Sequence, residues 1–242
     1  MTCLITLPKV DCMQHAIGIN ANFKTREQAA YEGIRSAIVD GRLEQGSLLN
    51  VSRLADEIGV SRITVANALK RLSGEGFVQL RPHKEAIVMP LDPALIREIY
   101  LMRAELEALA GRELTLHITE GDLVELHRLN DRIAAIWQEP ELDVRALRAA
   151  DLAFHRYLRT ISRMELLSRT LENLADRCEG YRARLLDARF RVLPSPERHT
   201  ELLAAIAGRD AERTAEALRR HILNGMEALL EQINETEPDE TN

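Results

Sequence analysis

Apolar residues recur at helical spacing along almost the whole chain, interrupted once where the period shortens. At the start of the pattern, Ala29, Ile34, Ala37 and Ile38 form a stripe behind Thr25-Arg26-Glu27-Gln28. Thr25 with Gln28 three residues on is a capping box, so a helix is expected to begin there and to stop near Gly41. After the turn Glu44-Gln45-Gly46 a second helix is expected over 51–58, with Leu54, Ala55 and Ile58 inward and Gly59 suited to a positive-φ C-terminal cap. Ser61 is placed to cap a third helix running through Ala68, Leu69 and Leu72 to Gly74. The period then changes. Gly76-Phe77-Val78-Gln79-Leu80 and Ala86-Ile87-Val88 read as two short strands around the polar tip Arg81-Pro82-His83-Lys84. Two short helices across a tight Gly-containing turn, followed by a hairpin, predict a winged helix-turn-helix with a two-stranded wing.

Helical spacing resumes at Asp92-Pro93, an N-cap followed by proline at the first helical position. Six helices are expected, near 92–117, 120–138, 143–162, 163–187, 195–207 and 210–234, the fifth opened by Ser195-Pro196 and the sixth capped around Gly208-Arg209-Asp210. No strand pattern occurs in this half. The expected fold is therefore mainly α: an arm over 1–24, a winged helix-turn-helix over 25–90, an antiparallel bundle of six or seven helices over 91–236, and a disordered tail over 237–242.

Composition refines this outline. Charged residues are 29% and hydrophobic residues 45%, enough apolar material for a sizeable core, while aromatics are only 4%. The net charge of -6 is unevenly spread. Residues 25–90 carry nine Lys/Arg against eight Asp/Glu, whereas residues from 91 onward carry 21 Arg against 29 Asp/Glu. The acidic half is a poor partner for phosphate, and the first module could bind DNA if its cations gather on one face. Cys3, Cys12 and Cys178 are odd in number and lack CxxC spacing, which argues against a disulfide framework or thiolate zinc and fits a reducing cytoplasm. No apolar run approaches membrane-spanning length, and the first 24 residues lack the basic and apolar regions of a secretory signal.

The residues that carry chemistry are spread over the second half. Asp151 and His155 lie four apart, hence on one helix face. His199 and His221 flank the turn at 208–209 and differ in level by only about 5 Å at the helical rise, so two antiparallel helices could present both imidazoles to one point. Three neutral nitrogens and one carboxylate suit Zn²⁺, Ni²⁺, Mn²⁺ or Fe²⁺ better than Ca²⁺ or Mg²⁺. Zinc is placed first. The competing reading is that such pairs arise by chance; His15, His117 and His127 lack partners of this kind and read as ordinary histidines.

The first module resembles the GntR family of bacterial transcription regulators. The resemblance runs through Tyr31-Glu32-Gly33-Ile34-Arg35, Gly41–Gly46, Leu54-Ala55-Asp56-Glu57-Ile58-Gly59-Val60-Ser61-Arg62 and Ala68-Leu69-Lys70-Arg71-Leu72-Ser73-Gly74-Glu75-Gly76-Phe77-Val78. The chain departs where the family usually has Glu (here Val51), Thr-Pro-Val-Arg-Glu (here Ile63-Thr64-Val65-Ala66-Asn67) and a wing Gly (here Glu85). A second recognition-helix arginine is thus replaced by Ala66. Ser61, Arg62, Thr64 and Asn67 are the base-side candidates, Asn67 being able to read adenine bidentately. Arg35, Arg53, Lys70, Arg71, Arg81 and Lys84 are candidates for phosphate or the minor groove, and His83 for a contact at the wing tip. Each lone charge has the competing reading of a solvated surface group.

The second module is similar to the FCD effector domain of FadR-type regulators, in particular the VanR-like subgroup. The signature Asp-x-x-Phe-His appears as Asp151-Leu152-Ala153-Phe154-His155, with Arg198-His199 and Arg220-His221 resembling the second and third histidine helices. The Asn usual after the first of these is Met164. The resemblance implies a metal held by Asp151, His155, His199 and His221, and a small organic acid bound there by its carboxylate. It also implies that Arg103 lines the cavity, with Arg148, Tyr181 and Arg182 as further effector candidates. A homodimer on near-palindromic operator DNA is expected, with no catalytic residues and no membrane association. Two alternatives stand beside it: a metalloenzyme with an accessory DNA-binding domain, and a regulator whose metal is purely structural. Against the enzyme, the chain has no HExxH, no nucleophile motif and no Glu-x-x-His pair.

Overall fold

The computed structural model describes residues 25–81, 86–186 and 197–236. The expected arm and tail, His83 and Lys84 at the wing tip, and the Ser195-Pro196 helix start lie outside the described residues. The first module contains α1 (Arg26–Val39), β1 (Leu48–Leu49), α2 (Val51–Ile58), α3 (Arg62–Gly74), β2 (Val78–Leu80) and β3 (Ala86–Val88). Thr25, Asn50 and Ser61 each accept a hydrogen bond from the backbone N–H three residues on, at 3.0, 3.0 and 3.1 Å, which fixes the three helix starts. Gly59 ends α2 at φ 74°, a left-handed conformation that a side chain would strain.

The expected two-stranded wing is one strand short. The sheet has three strands, in the order β1-β3-β2, and the added strand is Leu48–Leu49, paired antiparallel with Ile87 and Ala86. Two residues are too few to show a period of two, so this strand left no mark in the pattern. Its ladder is extended by Val88 N–H donating to Ser47 O at 3.0 Å. Behind the sheet, Tyr31, Ile34, Leu54, Val65, Leu69, Leu72, Phe77 and Val88 form a single core.

The second module is helical throughout its described residues: α4 (Pro93–His117), α5 (Glu120–Trp137), α6 (Val144–Ile161), α7 (Glu165–Leu186), α8 (Glu197–Ala207) and α9 (Ala211–Thr236). Asp92, Thr119 and Asp143 cap α4, α5 and α6, and Thr119 with Asp122 makes a full capping box. The two long helices α4 and α9 pack along each other, with Gly111 of α4 set against Leu218 and Ala215 of α9. A core around Leu126, Ile133, Leu147, Phe154, Leu158, Leu203 and Leu218 fills one end of the bundle. Tyr100, Ile99, Cys178, Ile222 and Leu229 fill the other, and the site described below lies close to both.

The two modules meet on α7. Arg35 of α1 pairs with the buried Asp176 at 2.8 Å, and Asn173 donates to the backbone carbonyl of Glu75 at 3.3 Å. Gly180 is the tightest point: a Cβ there would lie 2.4 Å from the carbonyl oxygen of Ile38. That neighbour is backbone and cannot rotate away. Gly180→Ala should therefore force α1 off α7 and cost about 1–3 kcal/mol, as overpacking does. At this chain length that corresponds to a melting temperature lower by roughly 2–12 °C, measured by calorimetry. An unchanged melting curve would mean that the two helices separate without loss.

Candidate metal centre and DNA-reading face

Helix α6 places Asp151 and His155 one turn apart, α8 contributes His199, and α9 contributes His221. The ring nitrogens of the three histidines all come within 4.8 Å of one another. His155 Nε2 and His221 Nε2 stand 3.1 Å apart, and Asp151 Oδ1 lies 3.4 Å from His199 Nε2 and 3.9 Å from His155 Nε2. The four candidates are thus brought together. Phe154 stacks on the His199 ring at 4.2 Å between centroids and holds it in the core. Asn130 Oδ1 of α5 lies 2.9 Å from His199 Nδ1, an outer partner that orients the ring so that Nε2 faces the cluster. Sequence spacing offered no signal for Asn130.

This arrangement fits a divalent transition metal. Donors bound to one ion at about 2.0–2.2 Å stand roughly 3–4 Å from each other; the His155–His221, Asp151–His199 and Asp151–His155 separations of 3.1, 3.4 and 3.9 Å fall in that range, and the three-histidine set spans up to 4.8 Å. His199 Nε2 is buried without a hydrogen-bond partner among the described residues, since 3.4 Å to Asp151 is long for such a bond. Protonation points the same way. Burial, reinforced by the neighbouring imidazoles, pushes His155 well below 6.5 and His221 down to about 4, against the pull of Asp151. Burial alone would raise the Asp151 carboxyl, but the close His199 together with His155 and Arg182 overrides it and holds it well below the usual range. At neutral pH the cluster therefore offers a carboxylate and neutral imidazole nitrogens at 155 and 221, the forms that ligate a cation.

The same shifts set a pH dependence for the metal-free protein. His155 and His221 take up protons in the unfolded chain below about 6.5 but resist them when folded, His221 down to about 4. Between those values the unfolded state binds more protons, so stability falls with acidification and is fully restored above about 6.5. Asp151, depressed in the fold, adds a further loss below its unfolded value of 3.8. Melting temperatures of chelator-treated protein at pH 7.5 and pH 5 check this, and the lower pH is expected to give the lower value.

A narrow cavity of about 40 Å³ opens beside the cluster, lined also by Tyr100, Arg103, Arg159, Glu179, Arg182 and Arg198. Arg103 is buried, lies 4.9 Å over the Tyr100 ring, and makes no ion pair with the described residues; its Nε and the Tyr100 hydroxyl are both unpartnered. Arg182 also lines the cavity, with Nη1 donating to Glu179 at 3.1 Å. Arg148 does not line it: its guanidinium is committed to the Glu179 carboxylate at 2.6 Å and to the Glu179 backbone carbonyl. The side chain of Tyr181 lies outside the described residues. Nothing in the sequence marks Arg159, Arg198 or Tyr100 as cavity residues, although Arg159 sits one helical turn beyond His155 on the same face.

In the first module, the candidates separate into two groups. Arg62, Asn67, Lys70 and Arg81 line one groove beside α3 and the wing. Ser61 and Thr64 are partly used up at the helix start, their hydroxyls 2.8 Å apart and Ser61 capping Thr64 N–H. Arg53 pairs with Glu57 on the surface of α2 at 2.7 Å. Arg71 folds back over the Tyr31 ring at 3.6 Å and bonds Gln28 and Glu75. Arg35 is drawn to Asp176 at the module contact.

Comparison with known proteins gives this arrangement a setting. Residues 26–88 match the family described as bacterial regulatory proteins, gntR family, and residues 98–224 match the FCD domain. The chain is 31% identical over 210 residues to the HTH-type transcriptional regulator BphR of Paraburkholderia xenovorans, covering 84% of each protein. It is 27% identical over 200 residues to the HTH-type transcriptional repressor RspR of Escherichia coli, covering 81% of this chain and 85% of that one. Among solved structures it resembles E. coli McbR/YncC with a TM-score of 0.74 at 22% identity, over 88% of this chain and 100% of that chain, a likeness of fold. With the winged helix-turn-helix and the helical bundle in place, the chain belongs to the GntR family of DNA-binding transcriptional regulators and carries an FCD domain.

Proposed function

We propose that the operator affinity of this regulator is set by a small organic acid bound at a divalent metal site, with zinc the first candidate and nickel, manganese or iron the alternatives. The observation that carries the reading is the pairing of a four-donor cluster with unpartnered buried donors in one cavity. Asp151, His155, His199 and His221 would hold the ion. When bound, the cation supplies a Lewis-acidic position that accepts a carboxylate oxygen. Arg103 Nε and the Tyr100 hydroxyl, buried and unpartnered, would orient the rest of the anion. The narrowness of the cavity favours a small acid, and a larger one requires Arg103 or Arg182 to move.

Helix α7 offers the connection to DNA binding. Its Ala175, Glu179 and Arg182 face the cavity, and its Asn173, Asp176 and Gly180 meet the winged helix-turn-helix. An anion that competes with Glu179 for Arg182 would displace α7 and with it the pose of α3. Two copies, related by a twofold axis, would place two α3 helices in successive major grooves. Met102, Leu109 and Leu116 leave an exposed apolar stripe at heptad spacing on α4 that supports such pairing.

Thermal-shift measurements on metal-loaded protein with a panel of small carboxylates test the reading. At least one acid is expected to raise the melting temperature of the wild type and to leave His199→Ala unaffected. Equal stabilisation of both proteins would contradict a metal-ligated effector, and stabilisation by metal with no response to any acid would favour a structural ion.

A further inference from the structure

The solvent face of α3 carries an apolar element that folding does not require. Arg62, Ile63, Ala66, Asn67 and Lys70 are all exposed and share the face opposite the buried Val65, Ala68, Leu69 and Leu72. Ile63 is 74% exposed. Leu48 at 67% and Leu80 at 47% line the same groove, together with the cations Arg62, Lys70 and Arg81. A single exposed isoleucine is ordinary, but three large apolar side chains in one groove with a cationic rim form a patch of the kind that marks a binding surface. The occupant follows from the module, a helix-turn-helix whose partner is duplex DNA.

In the major groove the apolar group on a base edge is the thymine C5-methyl, and its paired adenine shows N6 and N7, the pattern an asparagine amide reads bidentately. Asn67 stands four residues from Ile63, one turn along the same face. Between them Ala66 adds a methyl and no guanidinium, so the cations able to read guanine on this face, Arg62 and Lys70, flank the apolar stretch and do not interrupt it. We propose that Ile63, with Ala66 beside it, is a specificity-determining residue that packs on thymine methyls, so that each operator half-site carries A·T pairs beneath the first turns of α3. The proposal rests on α3 being the reading helix, and the test separates the two.

Full-length protein is used to select duplexes from a random-sequence pool, and the enriched duplex is resynthesised with deoxyuridine in place of each thymine in turn. One thymine or more per half-site is expected whose replacement weakens wild-type binding by about 3- to 10-fold, the size of one buried methyl's contribution. Ile63→Ala is expected to bind the thymine and uracil forms within about 1.5-fold of each other, well inside that methyl effect. Its melting temperature should match the wild type, because the side chain it loses is largely in solvent. Equal wild-type affinity for every uracil-containing duplex overturns the proposal, as does undiminished thymine preference in Ile63→Ala. If no duplex is enriched, α3 itself is removed as the reader, an outcome distinct from the failure of Ile63 alone.

Discussion

His199→Ala is expected to weaken metal binding by at least ~100-fold, more than the 10- to 100-fold typical of losing an outer partner of a ligand. The side chain sits at the centre of the arrangement: buried, stacked on Phe154, fixed through Nδ1 by Asn130, and aimed through Nε2 at Asp151. No neighbouring described donor is placed to take over that position. Asn130→Ala should cause the smaller, outer-partner loss, because the imidazole stays stacked on Phe154 but loses its partner at Nδ1. Competition titration with a chromophoric chelator, using zinc as the probe, measures both variants. Near wild-type affinity in His199→Ala would remove this residue from the ligand set.

Glu107→Ala is expected to destabilise the protein by about 3–5 kcal/mol, the cost of leaving a buried charge without its partner. Glu107 and Arg159 are 0% and 5% exposed at their side chains, and Glu107 Oε1 accepts from both Nε and Nη2 of Arg159 at 3.0 and 2.5 Å. In a chain of this size the loss corresponds to a melting temperature lower by roughly 10 °C. A double replacement, Glu107→Leu with Arg159→Met, should recover most of it, since an apolar pair of similar volume is often as stable as a buried ion pair. Denaturant unfolding of the wild type and the two variants checks this. A single variant within about 1 kcal/mol of wild type would show that water reaches Arg159 through the cavity it lines.

Much of the fold was legible in the chain because its local signals agree with its packing. Thr25, Ser61 and Asp92 were readable as caps, and each accepts the expected backbone hydrogen bond. The helices of the second module were readable from period alone, as long amphipathic segments usually are. What escaped notice was either too short or too distant in sequence. Leu48–Leu49 form a strand only because Ile87 and Ala86 lie alongside. Gly180 reads as an ordinary helical glycine until Ile38 is placed against it.

The site divides along the same line. Asp151 and His155 announce themselves at helical spacing, His199 and His221 by their levels on either side of the turn at 208–209, and the resemblance to FCD domains joins all four. The surrounding groups did not show. Asn130, Tyr100 and Glu107 come from other helices: the role of Asn130 follows from its hydrogen bond to His199, those of Tyr100 and Glu107 from burial and unpaired hydrogen-bonding atoms, and no spacing encodes either. Charge alone does not show which cations already have partners within the protein. Arg35 and Arg71 look like phosphate ligands in the sequence, yet one spans the two modules and the other braces α1 against α3. Ile63 is hidden for the opposite reason: an apolar residue in a helix ordinarily marks core, yet this one is 74% exposed.

Control of DNA binding by the proposed metal cavity is read from equilibrium affinity for the chain's own upstream DNA. Metal-loaded wild type is titrated with and without the acid that stabilises it most, beside His199→Ala. A change of about 5- to 150-fold is expected in the wild type, the range of a typical allosteric coupling, and none in the variant. Affinities that stay the same with and without acid, or that shift equally in both proteins, would contradict such control.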